Sequence, residues 1–421
     1  MIPSPPPGSP AGAPAQPRSV LRDGSVLRLM FLGNMTEVLR WADLVAASVY
    51  VYQSTESALM VALLGFSRSI PLATFGPFIG ALAERVDRRT LTIAYLGAIM
   101  ATTAVLAVLG LTGSIAVWQV MLGTFLMGMF FSSDFALRRT MMSEIAGESR
   151  TAKVLGLDTS TRQIMFGAGP LLGGFLLETT GIGGSYAVAT VVFGACLVAM
   201  STMRFRPARY ATSGLGFLAS ATEGLRYVRG VPLIAAVLVG TLVMNLLAFS
   251  YMNMVAVIGH DVLKLTPTAI GLLQSLEGIG SAVGAFTLAM TARVRYYGII
   301  FFVGSILVCL GALLFSLSSS FVLSCAFMFL IGLGLSGFAV MQNTVMLIVA
   351  APEMRSRAMG ALTACIGVGP LGALHIGLLA DHFGATTAVT VVAVESLIGM
   401  ALLAYFAPAI RRLYLAGEAK S

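Results

Sequence analysis

Charge is scarce in this chain of 421 residues: only 10% of its side chains are charged, against 57% that are hydrophobic. A soluble fold of this length needs far more charged surface to stay wetted, so a water-soluble globular protein is excluded. Cysteine is sparse too. The four, Cys196, Cys309, Cys325 and Cys365, all fall inside apolar stretches, with neither a disulfide framework nor a metal-ligand spacing. They read as small packing residues. No Walker A loop, zinc spacing or catalytic triad occurs. The sequence therefore asks for no cofactor and no metal, and no enzyme activity is expected.

Long apolar runs fill the chain instead. Twelve can be counted, at roughly 27–51, 58–83, 91–112, 115–137, 155–178, 184–203, 232–259, 267–290, 298–317, 320–349, 358–380 and 386–409. Each is long enough to cross a hydrocarbon core of about 30 Å. The 46 glycines suit helices that approach closely in lipid. The expected fold is an all-α membrane protein of twelve transmembrane helices.

The net charge of +8 could suggest nucleic acid, but its distribution does not. Arg85, Arg88 and Arg89 follow the second run, and Arg138, Arg139, Arg150 and Lys153 follow the fourth. Arg204, Arg206, Arg209, Arg226 and Arg229 follow the sixth, with further pairs after the eighth and tenth. Basic residues thus gather in alternate loops, which places both termini and the long middle loop in the cytoplasm. The partners this implies are membrane lipids, not nucleic acid.

Residues 1–26 are rich in Pro, Gly and Ala and lack the basic-then-apolar order of a signal peptide, so a disordered cytoplasmic tail is expected. The stretch 204–231 is the one long polar interruption, and it separates 27–203 from 232–410, with 411–421 as a second tail. Within it, "GLGFLASATEGLRYVRG" reads either as an amphipathic helix on the membrane face or as an irregular linker. The two halves resemble each other. The Gly-Pro pairs 169–170 and 369–370 are offset by 200, and Gly80-Ala81 and Gly284-Ala285 by 204. Two pseudo-symmetric six-helix bundles follow, and such repeats place a site between the halves that can open to either side.

"GALAERVDRRTL", residues 80–91, joins the second and third runs. Gly80 permits close helix approach, Glu84 suits a helix N-terminus, and Arg85, Arg88 and Arg89 can pair with acids. The loop resembles the signature of the major facilitator superfamily, with Glu84 where an Asp is usual and Asp87 where a Gly is usual. That resemblance implies a cytoplasmic latch built from Gly80, Glu84, Arg85, Asp87 and Arg88. Asp134 and Arg138, one turn apart at the same edge, are a further gate or latch pair. "GPLLGG", with Gly169, Pro170, Gly173 and Gly174, resembles the bend motif of exporters in that superfamily, because proline removes a helix hydrogen bond and glycine bares the packing face. "FSRSIPLATFGPFIGALAERVDRR", "APEMRSRAMGAL" and "GHDVLKLTPTAIGLLQSLEGIG" are similar to a bacterial branch that includes enterobactin-type siderophore exporters and macrolide efflux proteins.

The charges inside the runs carry the chemistry. Asn34, Glu37, Arg40 and Asp43 recur every third residue, so they spread over one half of a helix that must face protein or water. Arg40 is close enough to pair with Glu37 or Asp43. An acid in apolar surroundings accepts a proton more readily than one in water, which makes Glu37, Asp43 and Glu277 the proton-coupling candidates. Asn34, Arg40, Arg68, Asn245, Gln342, Asn343 and His375 are candidates for binding substrate or modulating charge. Arg162 and Asn253 are also buried candidates, and Glu395 is expected to be structural or near a headgroup. Alternatively the charges are paired and fix helix register without titrating.

The resemblance and the acids together point to a multi-pass carrier of the bacterial inner membrane that exports an amphipathic small molecule, siderophore-like or drug-like, in exchange for protons. Two alternatives stay open. One is uptake by symport, favoured if an anionic substrate bound Arg40 and Arg68 directly; the other is a carrier-shaped receptor or assembly partner that does not transport.

Overall fold

The computed structural model describes residues 24–203, 230–291, 297–351 and 354–407. The linker expected at 204–231 and both tails lie almost wholly outside them, as do the side chains of Glu84 and Arg85 and the region around Gly80. Among the described residues the chain is helical throughout, with no strand. The first group comprises α1 (Gly24–Thr55), α2 (Ala58–Arg85), α3 (Arg88–Leu111), α4 (Val117–Ala146) and α5 (Glu148–Ser201). Beyond the linker come α6 (Pro232–Leu246), a 3-10 turn (Ala248–Met254), α7 (Val255–Asp261), α8 (Pro267–Met290), α9 (Tyr297–Ser316), α10 (Phe321–Val349), α11 (Arg355–Ile366), α12 (Gly369–Phe383) and α13 (Ala385–Phe406).

Local chemistry sets several boundaries. Asp87 caps α3, its carboxylate accepting from Thr90 N at 3.2 Å and Thr90 Oγ1 at 3.1 Å, which satisfies amides that a helix start leaves unpaired. Thr266 caps α8 in the same way, followed by Pro267 in the first turn. Pro170, where a bend is expected, lies inside a continuous helix. α5 runs through Pro170 and leaves helical geometry at Gly181, φ +69°, a conformation that a side chain would strain. The matching motif of the other half does interrupt its helix, between α11 and α12 at Gly367 and Val368.

Among the described residues, eight helical stretches are long and apolar enough to cross a membrane, and Ala58–Pro71 and Val117–Phe131 are shorter apolar helices. The row of charges on α1 dilutes its apolarity, and the two runs on either side of Gly181 count as one stretch. The chain is a multi-pass membrane protein.

Buried apolar side chains form two clusters, one drawn mainly from α1 and α3–α5 and the other mainly from α6–α13. α5 packs on α1 and α3 within its own group and on α8 across the groups, while α2 meets α12. Glycine makes these approaches possible. A Cβ at Gly173 would fall on the backbone of Ala42 in α1, and one at Gly174 on the backbone of Pro267 in α8. Gly173→Ala is therefore expected to cost about 1–3 kcal/mol by forcing α5 off α1. A lowered unfolding midpoint in detergent would show it, with Gly156→Ala, which meets nothing, as the control. Equal midpoints for both variants would mean that the two helices do not touch there.

Candidate functional site

Most of the charged row of α1 is covered by neighbouring helices, with the Arg40 side chain the more open member. From Leu32 to Tyr52 no residue of this helix is exposed, because the surrounding helices enclose it. Glu37 takes a close ion pair from Arg162 of α5 and a hydrogen bond from Trp41 Nε1 at 2.7 Å. Arg40 reaches Glu37 only at 4.0 Å. Asp43 does not pair with Arg40. It accepts instead from Arg68 of α2 at 3.0 Å and from the Tyr186 hydroxyl of α5 at 3.1 Å. Helical spacing alone favoured the neighbours within α1, but partners from α2 and α5 approach the acids more closely. Asp43 also lines a cavity of about 30 Å³ with Phe131 and Tyr186, room for about one water. Asn34 lies nearby in sequence, and its buried Oδ1 has no hydrogen-bond partner.

A second network involves Asp134 and Arg138. Arg138 is only 1% exposed and lies between Asp134, at 3.4 Å, and Asp158 of α5 in a closer pair. The Tyr95 hydroxyl of α3 donates to the other oxygen of Asp134, and the guanidinium fills the space beside Gly33 of α1. Among the described residues their partners all lie in the first group of helices. The pair thus ties α1, α3, α4 and α5 together. The signature loop behaves similarly where it is described: Asp87 caps α3, Arg88 pairs with Glu144 of α4, and Arg89 donates to the Ser201 carbonyl at 2.6 Å.

Glu277 is unlike every other buried acid. It is 2% exposed in the middle of α8, and its Oε1 has no hydrogen-bond partner. No ion pair reaches it among the described residues. The Tyr251 hydroxyl faces its carboxyl without completing a hydrogen bond. Tyr251 belongs to the 3-10 turn that interrupts the run from α6 to α7. Irregular backbone at membrane depth is stable only where protein or a cavity covers it, and mid-helix 3-10 turns often mark functional positions.

The described helices thus hold a row of charges largely covered by neighbours and a buried carboxyl beside a broken helix. The model of the family described as transmembrane secretion effector matches residues 19–413. The chain belongs to this family of major facilitator transporters. Macrolide efflux protein A of Streptococcus pyogenes is 26% identical over 352 residues, covering 80% of this chain and 84% of that protein. The staphyloferrin A transporter of Staphylococcus aureus is 20% identical over 384 residues, covering 88% and 91%. Among solved structures, the nucleoside transporter NupG superposes with a TM-score of 0.70 at 14% identity, covering 92% of this chain and 99% of that one. A bacterial homologue of the human lysosomal transporter Spinster, inward-facing and unoccupied, gives 0.71 at 14%, covering 93% and 97%. The likeness to these two structures is one of fold.

The transporter's remaining candidates are dispersed. Asn245 Nδ2 donates to the Thr241 carbonyl of its own helix at 2.9 Å, Asn253 Nδ2 to Ser250 at 3.2 Å, and Asn343 Nδ2 to Ala339 at 2.8 Å. Gln342 is buried on α10. His375 pairs with Glu395 at 3.0 Å, both side chains 39% exposed. It shares an exposed stripe of α12 with Leu371 and Leu378. His375 itself lies about 160° around the helix from Gly377, which meets α2 through Ala62. The structure therefore does not bring His375 to the arginine cluster, and Glu395 has a specific partner.

Several contributors escaped sequence reasoning. Asp158, Glu144, Tyr95, Tyr186 and Tyr251 each answer a charge from a different helix. No spacing rule reaches across such distances. The sole local signal was Trp41, one turn beyond Glu37.

Proposed function

We propose that this chain is a proton-coupled exporter of an amphipathic small molecule, siderophore-like or drug-like, working by alternating access across the bacterial inner membrane with both termini in the cytoplasm. Twelve crossings in two six-helix halves fit the helices: the eight apolar stretches, with α5 divided at Gly181 and with α1, α2 and α4 added. The names of the relatives, one an efflux protein for macrolides and one a transporter of staphyloferrin A, favour export of an organic molecule.

Glu277 carries the proposal for proton coupling. Glu37 and Asp43 are each held by an arginine and a second donor, so protonating either would leave a buried guanidinium without its counter-charge. Among the described residues Glu277 has no cation to abandon. A buried carboxyl without a cation is more stable neutral, and it can give up its proton when its side of the carrier opens to water.

Inside-out vesicles acidified by respiration, with a pH-sensitive dye, test this reading against a panel of siderophores, drugs and metabolites. An exporter exchanging substrate for protons releases protons when its substrate is added. Folded wild-type protein that releases none with any compound would exclude proton-coupled export.

A further inference from the structure

Charge is unevenly balanced around the middle of α1. Three guanidinium groups, Arg40, Arg68 and Arg162, meet two carboxylates, Glu37 and Asp43. Arg68 is engaged by Asp43 at 3.0 Å, and Arg162 by Glu37 in a close pair. Arg40 is left with the long 4.0 Å contact to a Glu37 oxygen that already accepts from Trp41. Its side chain is 43% exposed, although the helix around it has no exposed residue from Leu32 to Tyr52. That exposure leaves open space beside the guanidinium. Arg40 also lies at the centre of the 32-residue helix, roughly 24 Å from either end at 1.5 Å per residue, where an uncompensated charge is costly and marks a functional position.

The walls of this space are aromatic. The Arg40 guanidinium carbon lies 5.4 Å from the Trp41 ring centroid and 6.0 Å from that of Phe131 on α4. Trp41 is itself held by Phe166, with centroids 4.4 Å apart, and by its bond to Glu37. A planar cation held beside two rings suits one kind of guest: a carboxylate or similar anion to meet the guanidinium fork, attached to a flat apolar body to lie along the rings.

We infer that Arg40 is the receptor for an anionic group on the transported molecule, with Trp41 and Phe131 as the walls for its aromatic or planar body. This rests on the transporter reading and names the substrate class of that site: organic acids carrying an apolar ring. An acidic substrate is compatible with export. Only one arginine is open, where uptake of an anion was expected to use Arg40 and Arg68 together, and a membrane potential that is negative inside drives an anion outward.

The chain has two tryptophans, and Trp118 at the start of α4 is exposed. Trp118→Phe therefore leaves Trp41 as the sole emitter, beside Arg40. The experiment titrates this purified variant, in detergent at neutral pH, with para-tert-butylbenzoate, its methyl ester and para-tert-butylbenzylamine. The acid is expected to quench Trp41 saturably and to bind at least about tenfold more tightly than the ester or the amine, the worth of one charge-assisted hydrogen bond. Adding Arg40→Gln is expected to bring the acid to within about twofold of the ester, while Arg40→Lys keeps the preference at lower affinity. Equal binding of acid and ester, preference for the amine, no saturable quenching by the acid, or a preference that survives Arg40→Gln overturns the inference. Should Arg40→Gln fail to fold, the comparison of acid, ester and amine on the parent, with Arg40→Lys, still decides. No proton gradient is involved, so failure here is distinguishable from failure of proton-coupled export in vesicles.

Discussion

Glu277→Gln is expected to abolish substrate-triggered proton release in acidified inside-out vesicles, while Glu37→Gln retains the proton dependence of whatever transport it supports. The contrast follows from their surroundings. Glutamine at 277 has nearly the shape of a neutral glutamic acid, and it leaves no cation orphaned, because none lies beside Glu277. The variant should fold and still bind its substrate, but it has no proton to exchange. Glutamine at 37 removes the counter-charge of Arg162, which damages packing and leaves coupling in place. Proton release by Glu277→Gln at the wild-type rate would remove Glu277 from the coupling mechanism. Retained release in Glu277→Gln together with loss in Glu37→Gln would move the role to α1.

Arg138→Ala is expected to lose about 3–5 kcal/mol, because two buried carboxylates, Asp134 and Asp158, then share a site with no cation. Against a typical total stability of about 5–15 kcal/mol, that loss should appear as poor yield and a sharply lowered unfolding midpoint. Neutralising the acids as well, in Arg138→Met with Asp134→Asn and Asp158→Asn, should recover much of it, since a buried ion network can often be replaced by neutral groups of similar volume. The readout distinguishes a structural pin from a latch. A latch variant would fold with the wild-type midpoint and fail only in transport. That result would support the gating role which the sequence suggested for Asp134 and Arg138.

Much of the fold was legible because lipid imposes a simple rule: a spanning helix must be apolar over about 20 residues. The runs around α3, α8, α9 and α13 needed nothing more. α1 was legible for the opposite reason, since charges every third residue on a long run can only face inward. Its partners were not. The sequence offered Arg40 to Glu37 and Asp43 because i, i+3 neighbours touch on a helix, whereas Arg162, Arg68 and Tyr186 come from 125, 25 and 143 residues away. The same holds for Asp158, which reaches Arg138 from α5 and was not legible from the Asp134–Arg138 spacing.

The sequence by itself determined that the chain crosses the membrane repeatedly, which helix carries charge into the interior, and which family it resembles. These depend on composition and on periodicity within one helix, which are local. Only the tertiary structure decided which acids are neutralised, and that among the described residues Glu277 has no ion pair and Arg40 keeps only a long contact to Glu37. A charge in a low-dielectric interior is governed by whichever opposite group approaches within a few ångströms. In a helical bundle that group nearly always belongs to another helix.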